Sequence, residues 1–348
     1  MTTTTSTLVL GAGYAGVLTA NRLAARGHHV TLVSERREFV DRIRLHEYAA
    51  ATRESATRPL VTMLRPTVAV SLGHATSIHP GPTPTVAFAD GTTRSADHVV
   101  LAVGSGAGPG PGSLTGAAQL RRKLKTLPAR ARVLINGAGL TGIETATEIA
   151  LAHPTLHVLL HDPAGPMPAT SQRNRDWLRE RLPRLGVDLV DDPPDADHSV
   201  DCTGFRVPSL AADSGLPVDP HGRVLLEDTL AVRGERNIWG AGDAGVVASR
   251  PSRMACAIAE PMGGHVADAI GAVAAGRPVP AFDFGWAFQC LSLGRRDGMI
   301  VFVHRDDRPT GARLTGRVAG WFKELVSTGA VAVPARYAHL YRWLGGAR

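Results

Sequence analysis

Cysteine and long apolar runs are scarce in this sequence of 348 residues, and each scarcity excludes a class of protein. Its three cysteines, Cys202, Cys256 and Cys290, form no C-x-x-C pair, so a disulfide framework is excluded and a reducing, cytoplasmic location is predicted. No apolar run approaches the roughly 18 residues that a membrane-spanning helix needs. The apolar residues 8–10 have no charged segment before them, so they predict a strand rather than a signal peptide.

Lysine is also nearly absent. Of the 38 lysines and arginines, only Lys123, Lys125 and Lys323 are lysines. The formal net charge of +7 suits either anionic partners or arginines scattered over a solvated surface. No basic run is interleaved with aromatic residues and no metal-ligand spacing is evident, so neither nucleic acid nor a metal is expected as a partner. The length and the 44% hydrophobic content predict an ordinary globular protein of two or three domains.

The sequence does contain a glycine-rich turn between a predicted strand and a predicted helix. Residues 7–10 predict the strand, the motif GAGYAG follows, and an alanine- and leucine-rich segment predicts the helix. The first glycine permits a tight turn, the second lets the backbone approach a pyrophosphate at the helix N-terminus, and the third lets helix and strand pack closely. The residues of this turn predicted to bind a cofactor are Gly11, Gly13, Tyr14, Ala15 and Gly16.

A carboxylate stands where such a fold holds the ribose of an adenosine. A second predicted strand, residues 29–33, leads to Glu35, which follows Gly11 by 24 residues. Strand, turn, helix and acid together predict a Rossmann-type dinucleotide-binding domain. The other residues predicted to contact this nucleotide are Arg36, Ala75 and Gly104.

The same pattern recurs later in the chain. Residues 132–135 predict a strand, the motif NGAGLTGIE supplies three more glycines, and a helix is predicted through Ala152. A second nucleotide is therefore expected, and a count of 24 from the first of these glycines lands on His161. The cofactor-binding residues predicted here are Gly137, Gly139, Leu140, Thr141, Gly142, His161 and Asp162.

The choice between NADH and NADPH depends on the end of this second strand. An acid at the ribose favours NADH, whereas the 2′-phosphate of NADPH usually requires an arginine nearby. Asp162 lies one position beyond the count, and residues 161–168 contain no arginine. NADH is therefore slightly favoured, while His161 is equally well interpreted as a strand-end histidine without a ligand.

With these two turns, the sequence resembles the two-dinucleotide-binding flavoproteins, and among them the branch of type II NADH dehydrogenases and apoptosis-inducing factor. The resemblance runs from residue 7 to about residue 313 and includes DHVVLAVGS (97–105), VDCTGF (200–205) and NIWGAGDAG (237–245). It implies FAD and either NADH or NADPH as cofactors. It also implies that Gly242 and Asp243 belong to the FAD site, with Asp243 on the ribityl chain and the next helix aimed at the pyrophosphate.

The order of these motifs implies an α/β protein with two Rossmann-like dinucleotide-binding domains, the second inserted in the first. Residues 1–110 and 231–284 are expected to bind FAD, and residues 111–230 to bind NAD(P)H. The proline- and glycine-rich residues 106–112 would form the crossover. Residues 285–348 would cap the flavin or form an interface.

Many members of this family carry a redox disulfide, C-x-x-x-x-C, where residues 42–47 stand here, and no cysteine lies there. Electron relay through a dithiol at that position is thus excluded. Hydride is expected to pass from NAD(P)H to flavin N5 and then to an acceptor that meets the flavin directly. The candidate catalytic residues are Arg44, His46 and Glu47 from this segment and, on the nicotinamide side, Glu144.

The type II dehydrogenases contact quinone through a glutamine-bearing helix, and the corresponding residues here are Ala257, Pro261 and Met262. The resemblance therefore implies an NAD(P)H oxidoreductase with a small-molecule acceptor, but not quinone chemistry. Two other functions stay open. One is a flavoenzyme of specialised metabolism that oxidises or reduces a small organic substrate, and the other is an NADH-sensing interaction flavoprotein with little turnover.

The last residues, 321–348, combine aromatic and basic side chains, which suits an anionic bilayer surface. Pro334 and several glycines interrupt any long amphipathic helix in this stretch. Packing against the body of the protein or against a second subunit is therefore favoured over peripheral membrane contact. The residues concerned are Trp321, Phe322, Lys323, Leu325, Arg336, Arg342, Trp343 and Arg348, the last of which lies outside the residues that the structure describes.

Overall fold

A computed structural model describes residues 4–107 and 110–346. The strands, in chain order, are β1 (Ser6–Leu10), β2 (His29–Ser34), β3 (Glu38–Val40), β4 (Thr57–Pro59), β5 (Val68–Leu72), β6 (Ala75–His79), β7 (Thr85–Phe88), β8 (Thr93–Ser95), β9 (His98–Leu101), β10 (Gly106–Ala107), β11 (Arg132–Asn136), β12 (His157–His161), β13 (Val187–Val190), β14 (His198–Asp201), β15 (Phe205–Arg206), β16 (Val224–Leu226), β17 (Ile238–Gly240), β18 (Gly245–Val247), β19 (Phe288–Ser292), β20 (Gly298–Val303) and β21 (Pro309–Thr315). The α-helices are α1 (Tyr14–Ala24), α2 (Leu45–Ala49), α3 (Leu114–Leu124), α4 (Leu140–Ala152), α5 (Gln172–Arg181), α6 (Leu210–Asp213), α7 (Cys256–Ala274) and α8 (Arg317–Ala332).

The first large sheet is parallel, with its five strands in the order β17-β9-β1-β2-β5. Its central strands β1 and β9 are almost wholly buried, as expected for parallel strands covered on both faces, which read as continuous apolar runs. β17 enters this sheet from much later in the chain. The segment between β9 and β17 is therefore an insertion into the first unit.

The inserted segment contains a second parallel sheet, in the order β13-β12-β11-β14. Each sheet carries a strand, a glycine turn and a helix at its centre, formed by β1 and α1 in one and by β11 and α4 in the other. These sheets confirm the predicted α/β fold with two Rossmann-like units. The domain boundaries stay predictions, and residues 108–109 of the predicted crossover lie outside the described residues.

Close packing of α7 on α1 places the start of α7 beside the first glycine turn. A Cβ at Gly263 would lie 2.5 Å from the carbonyl oxygen of Ala15, so a larger residue there would separate the helices. The Thr19 hydroxyl lies 2.9 Å from the Gly263 carbonyl and 2.8 Å from that of Ala15. The helix expected after Asp243 is thus α7, which begins only at Cys256, after β18.

The C-terminal part is an antiparallel sheet, β19-β20-β21, with α8 packed on it. Beyond α8 the chain returns to the first unit, where the buried Arg22 donates to the carbonyl of Ala338 and Trp343 Nε1 donates to that of Asp283. On α8 itself, Trp321 is 67% exposed and Leu325 is 54% exposed. Within the described part of the chain, no helix combines the length and apolarity needed to cross a membrane.

Candidate cofactor and electron-transfer site

The first glycine turn has the steric pattern that its motif predicts. Gly11 has a φ of +112°, and a Cβ there would overlap the carbonyl oxygen of Ala102 on the neighbouring strand end. A Cβ at Gly16 would overlap the Gly11 carbonyl, so glycine is required for the helix to pack here. At Gly13, by contrast, a Cβ would meet no described atom within 4 Å. That open side is where a pyrophosphate would approach the backbone.

The second glycine turn repeats the pattern at each position. Gly137 has a φ of +97°, and a Cβ there would lie 2.7 Å from the carbonyl oxygen of Cys202. A Cβ at Gly142 would overlap the Gly137 carbonyl, whereas one at Gly139 would meet no described atom within 4 Å. Leu140 and Thr141, which open α4, are half-buried behind this free side.

A cavity of about 480 Å³ opens in front of the first turn. It is lined by residues of the first unit and by residues 112–114 and 208–213 of the insertion, which the fold brings together from far apart in sequence. Gly16 lies behind the turn and does not line the cavity. The predicted cofactor-binding residues among the lining are Gly11, Gly13, Tyr14, Ala15, Glu35, Arg36, Ala75, Gly104, Gly242 and Asp243.

The polar groups of this cavity fit FAD. Glu35 is exposed, and its Oε1 lies 2.6 Å from Nδ1 of His74, where a ribose would reach it. Asp243 accepts a hydrogen bond of 2.7 Å from the Ser105 hydroxyl through Oδ2. Its other oxygen, Oδ1, is buried and has no partner among the described residues. A sugar hydroxyl would supply the donor that this oxygen lacks.

Backbone pairing shows that the count of 24 compares different positions in the two units. In each, the first glycine donates its N–H to a carbonyl near the end of the second strand, that of Val33 at 2.9 Å and that of His161 at 2.8 Å. Glu35 lies two residues after Val33, whereas Pro163 lies two residues after His161. The segment between glycine and strand end is two residues longer in the second unit, so Asp162 falls one residue short of the Glu35 position.

The loop after β12 is bonded back onto the second glycine turn. Asp162 accepts from the backbone N–H of Ala138 at 2.8 Å, and Met167 donates its N–H to the Ala138 carbonyl at 2.8 Å. His161 places Nδ1 3.1 Å from the carbonyl of Val190 on β13. Arg179 on α5 also reaches this loop, although it lies outside residues 161–168. Because an arginine near the ribose can accommodate the 2′-phosphate of NADPH, the preference for NADH stays a prediction.

The four candidate catalytic residues are all buried at a junction of α2, α4 and the C-terminal part. His46 Nδ1 lies 3.9 Å from Glu144 Oε2, and Glu144 Oε1 lies 3.0 Å from the ammonium of Lys323 on α8. Glu144 also accepts from the Ser292 backbone N–H at 2.9 Å. Burial alone would lower the pKa of Lys323, but Glu144, Cys290 and Cys256 together outweigh it and hold that pKa above its usual value. We call His46, Glu144 and Lys323 the junction cluster.

Arg44 and Glu47 belong to a neighbouring ionic network. Arg44 pairs with Glu47 and with Glu324 on α8, each at 2.6 Å. Burial would raise the pKa of Glu47, but hydrogen bonds from Arg53 and Arg44 outweigh it and the pKa is lowered. These pairs connect α2 to the C-terminal part. Within this network the charges of Arg44 and Glu47 neutralise one another. A catalytic role for either residue stays a prediction.

Cys256, at the start of α7, is a buried thiol that is electrostatically coupled to both sites. Burial raises its pKa to about 12, with Glu260 adding to the rise. Its thiol is also within electrostatic reach of Asp243 in the cavity wall and of Lys323 in the cluster.

Sequence reasoning missed three side chains that contribute to these sites. Lys323 left one signal, since it is a rare lysine in a chain that otherwise uses arginine. Arg42 and Ser105 left no signal in the sequence, because their hydrogen-bond partners are distant along the chain. The missed residues are Arg42, Ser105 and Lys323.

Residues 5–192 match the family described as pyridine nucleotide-disulphide oxidoreductase. The chain belongs to this family. An NADH dehydrogenase-like protein of Mycobacterium tuberculosis is 28% identical over 409 residues, covering 99% of this chain and 96% of that protein. The match to the NADH dehydrogenase-like protein YutJ of Bacillus subtilis is 27% identical, and this chain spans only 42% of that relative's length.

Solved structures of the family share the fold. Sulfide:quinone oxidoreductase from Aquifex aeolicus matches with a TM-score of 0.80 and 17% identity, over 96% of this chain and 92% of that chain. NDH2 from Plasmodium falciparum in complex with NADH matches with a TM-score of 0.76 and 14% identity, over 97% and 96%. The predictions of family, enzyme class and cofactors are confirmed: this is a flavin-dependent NAD(P)H oxidoreductase.

Proposed function

We propose that this family member passes electrons from the flavin directly to a small-molecule acceptor, without an intervening dithiol. The observation that carries the proposal is the junction cluster. It brings Glu144, on the helix of the second glycine turn, within 3.0 Å of Lys323 on α8 and within 3.9 Å of His46, from the segment that follows the first nucleotide site. Arg44 and Glu47 occupy the segment in which the family's disulphide members carry their cysteines.

The buried residues of the junction orient the two nucleotide-binding units and exclude water. The Glu144–Lys323 pair joins α4 to α8, and the bond from Ser292 to Glu144 adds β19 to the same contact. Bound FAD supplies the chemistry, accepting a hydride from NAD(P)H and passing its electrons on. Hydride transfer requires close, fixed stacking more than an acid or base, so rigid positioning is the main task of these residues.

The α7 helix supports an acceptor other than a long-chain quinone. Pro261 and Met262 are buried in α7, and with Ala257 they offer no side-chain donor to a quinone carbonyl. Each missing donor to a developing oxyanion costs on the order of 100-fold in rate. We therefore expect a small, soluble acceptor that accepts electrons without such donors.

Quinone reduction is the second candidate, because Glu260 lies on the same helix. Burial raises the pKa of Glu260 to about 8, so its carboxyl is largely protonated at neutral pH and can donate a hydrogen bond. The structurally similar protein from Aquifex aeolicus is a sulfide:quinone oxidoreductase. Glu260 would have to replace the absent glutamine donors in this case.

Steady-state rates with a panel of acceptors distinguish the two candidates. The panel pairs a membrane-type quinone with soluble acceptors (oxygen, dyes, small quinones and ferredoxin-like proteins), with NADH and NADPH as alternative donors. We expect slow turnover of the long-chain quinone and fast reduction of a soluble acceptor. Fast long-chain quinone reduction that falls sharply in Glu260→Ala would support the second candidate instead.

A further inference from the structure

Arg42 opens the short turn that replaces the start of the family's disulphide segment, and it is fixed beside the first glycine turn. The Tyr14 hydroxyl donates to Asp41 Oδ1 at 2.7 Å and accepts from the Ile43 N–H at 3.4 Å. Burial raises the pKa of Tyr14 well above its usual value, so this hydroxyl stays protonated. Tyr14 follows Gly13, the N-cap of α1. The residues on both sides of Arg42 are thus tied to the first turn of α1.

The side chain of Arg42 reaches into the cavity and is held there by two polar partners. Its Nη1 donates to the Ser105 hydroxyl at 2.9 Å, and Ser105 in turn donates to Asp243. Arg42 Nη1 lies 3.7 Å from the Asp243 carboxylate, and the guanidinium carbon lies 5.0 Å from the ring centre of Phe205. Arg42 is therefore ordered by contacts from the first unit and from the end of the insertion.

The cavity needs a cation at this place if it binds a dinucleotide. Its charged lining residues are Glu35, Arg36, Glu38, Arg42, Asp213 and Asp243. Carboxylates outnumber arginines in this set, yet a pyrophosphate brings two further negative charges. The dipole of α1 and its free N–H groups offset only part of that charge. Arg36 follows Glu35 at the adenosine end, which leaves Arg42 as the other arginine of the lining.

We propose that Arg42 binds the pyrophosphate of FAD, and that Ser105 and Asp243 position its guanidinium for that contact. A guanidinium has five N–H donors in a planar fork, and Arg42 uses only Nη1 on Ser105. It can therefore keep this bond and donate to a phosphate oxygen with its other nitrogen atoms. Ser105 is 5% exposed and acts as a positioning residue. The inference rests on FAD as the cofactor and is independent of the acceptor.

The test is the dissociation constant of FAD from the full-length protein at low and high salt, with the visible spectrum of the bound flavin. Arg42→Gln removes the charge and keeps an amide donor for Ser105. We expect it to raise the dissociation constant about 10- to 100-fold and to flatten its salt dependence. Arg42→Lys should recover part of the affinity. Arg37→Ala, an exposed arginine outside the cavity lining, should change the constant less than about twofold.

The bound-flavin spectrum should stay unchanged in Arg42→Gln, because the contact is with phosphate rather than with the ring. An unchanged dissociation constant would overturn the proposal, and so would a shifted spectrum with normal salt dependence. A wild-type protein that binds no FAD would instead contradict the cofactor assignment. Ser105→Ala should weaken FAD binding about three- to tenfold, but only while Arg42 is present. An equal effect in an Arg42→Ala background would contradict its positioning role.

Discussion

The two glycine turns of this protein have the same close contacts but open onto different surroundings. Gly13 and Gly139 are equally free on the side where a pyrophosphate approaches. After the first turn, Glu35 points to an open cavity that later segments of the chain help to enclose. After the second turn, Asp162 is bonded to the backbone of the turn itself. The glycines thus provide a general site for pyrophosphate, while the segments around them determine how each nucleotide is held.

This difference predicts two kinds of binding. The first site draws residues from distant parts of the chain, so we expect FAD to stay bound through many turnovers. The second site is formed mainly by neighbouring elements of the inserted unit, and we expect NAD(P)H to bind there and leave. The experiments below are arranged to separate these two roles, from the largest expected effect to the smallest.

Substitution in the first turn should give the largest effect. Gly13→Val places a side chain where the pyrophosphate would lie, and its Cβ meets no described atom within 4 Å, so the protein should fold and lose FAD. We expect flavin affinity to fall on the order of 100-fold or more, measured as flavin content after gel filtration. Gly16→Val is the contrasting variant, since overlap with Gly11 should lower the free energy of unfolding. Normal flavin content in Gly13→Val would refute the assignment of the first turn.

Substitution in the second turn should separate the cofactors. Gly139→Val has equally free surroundings, so it should leave the fold and FAD content intact. It should abolish reduction of the flavin by NAD(P)H, because the pyrophosphate can no longer approach the backbone. Stopped-flow absorbance measures this directly. Wild-type reduction kinetics in the variant would show that the nucleotide binds elsewhere.

The sequence predicted the two turns because their signals are local. Strand, glycine turn and helix lie within about two dozen residues, and each glycine has a steric reason that neighbouring residues supply. The count to His161 failed as a comparison with Glu35, because it assumed equal loop lengths in the two units. The exact register appears only in the hydrogen bonds of the strand ends.

The junction cluster could not be predicted in full, because its members come from three separate parts of the chain. Family position predicts Glu144 and His46 as candidate catalytic residues, and in the structure His46 Nδ1 lies 3.9 Å from Glu144 Oε2. Lys323 completes the cluster from α8, where its sequence position suggested only a basic residue near the C-terminus. Contacts between domains depend on how sheets and helices pack, and one sequence without that geometry carries no signal for them.

The contact between the inserted unit and the C-terminal part should contribute strongly to stability. Lys323→Met removes the partner of a buried carboxylate, Glu144, and should lower the free energy of unfolding by about 3–5 kcal/mol. Lys323→Met combined with Glu144→Gln should recover part of the loss, because no uncompensated charge is left. Urea unfolding measures both. Additive losses in the double variant would show that the two groups act independently.

The helix packed against the first turn should make stability depend on pH. Burial raises the pKa of Glu260 from 4.5 to about 8, so the folded state holds a proton that the unfolded state releases. Its stabilising contribution is complete below about pH 4.5 and is lost as the pH rises through about 8. Between these limits the free energy of unfolding falls by about 1.4 kcal/mol for each pH unit of increase. Glu260→Gln should remove this slope in thermal unfolding, and an unchanged pH profile would contradict it.

The smallest effect should come from the two acids at the strand ends. Glu35→Ala should weaken FAD binding about tenfold at most and leave the KM for NADH unchanged, since its carboxylate is exposed. Asp162→Ala should do the reverse, raising the KM for NADH while FAD stays bound. Flavin content and steady-state kinetics on the two variants give both values. If both substitutions changed FAD binding and the KM for NADH equally, the assignment of Glu35 to the FAD site and Asp162 to the NADH site would be contradicted.

The central claim is that electrons pass through the flavin alone, and an anaerobic titration with NAD(P)H tests it most directly. Because residues 42–47 contain no cysteine, one equivalent of NAD(P)H per bound FAD should complete the reduction, which is monitored as the loss of flavin absorbance. Consumption of a second equivalent before the end point would reveal a redox-active thiol pair and contradict the account.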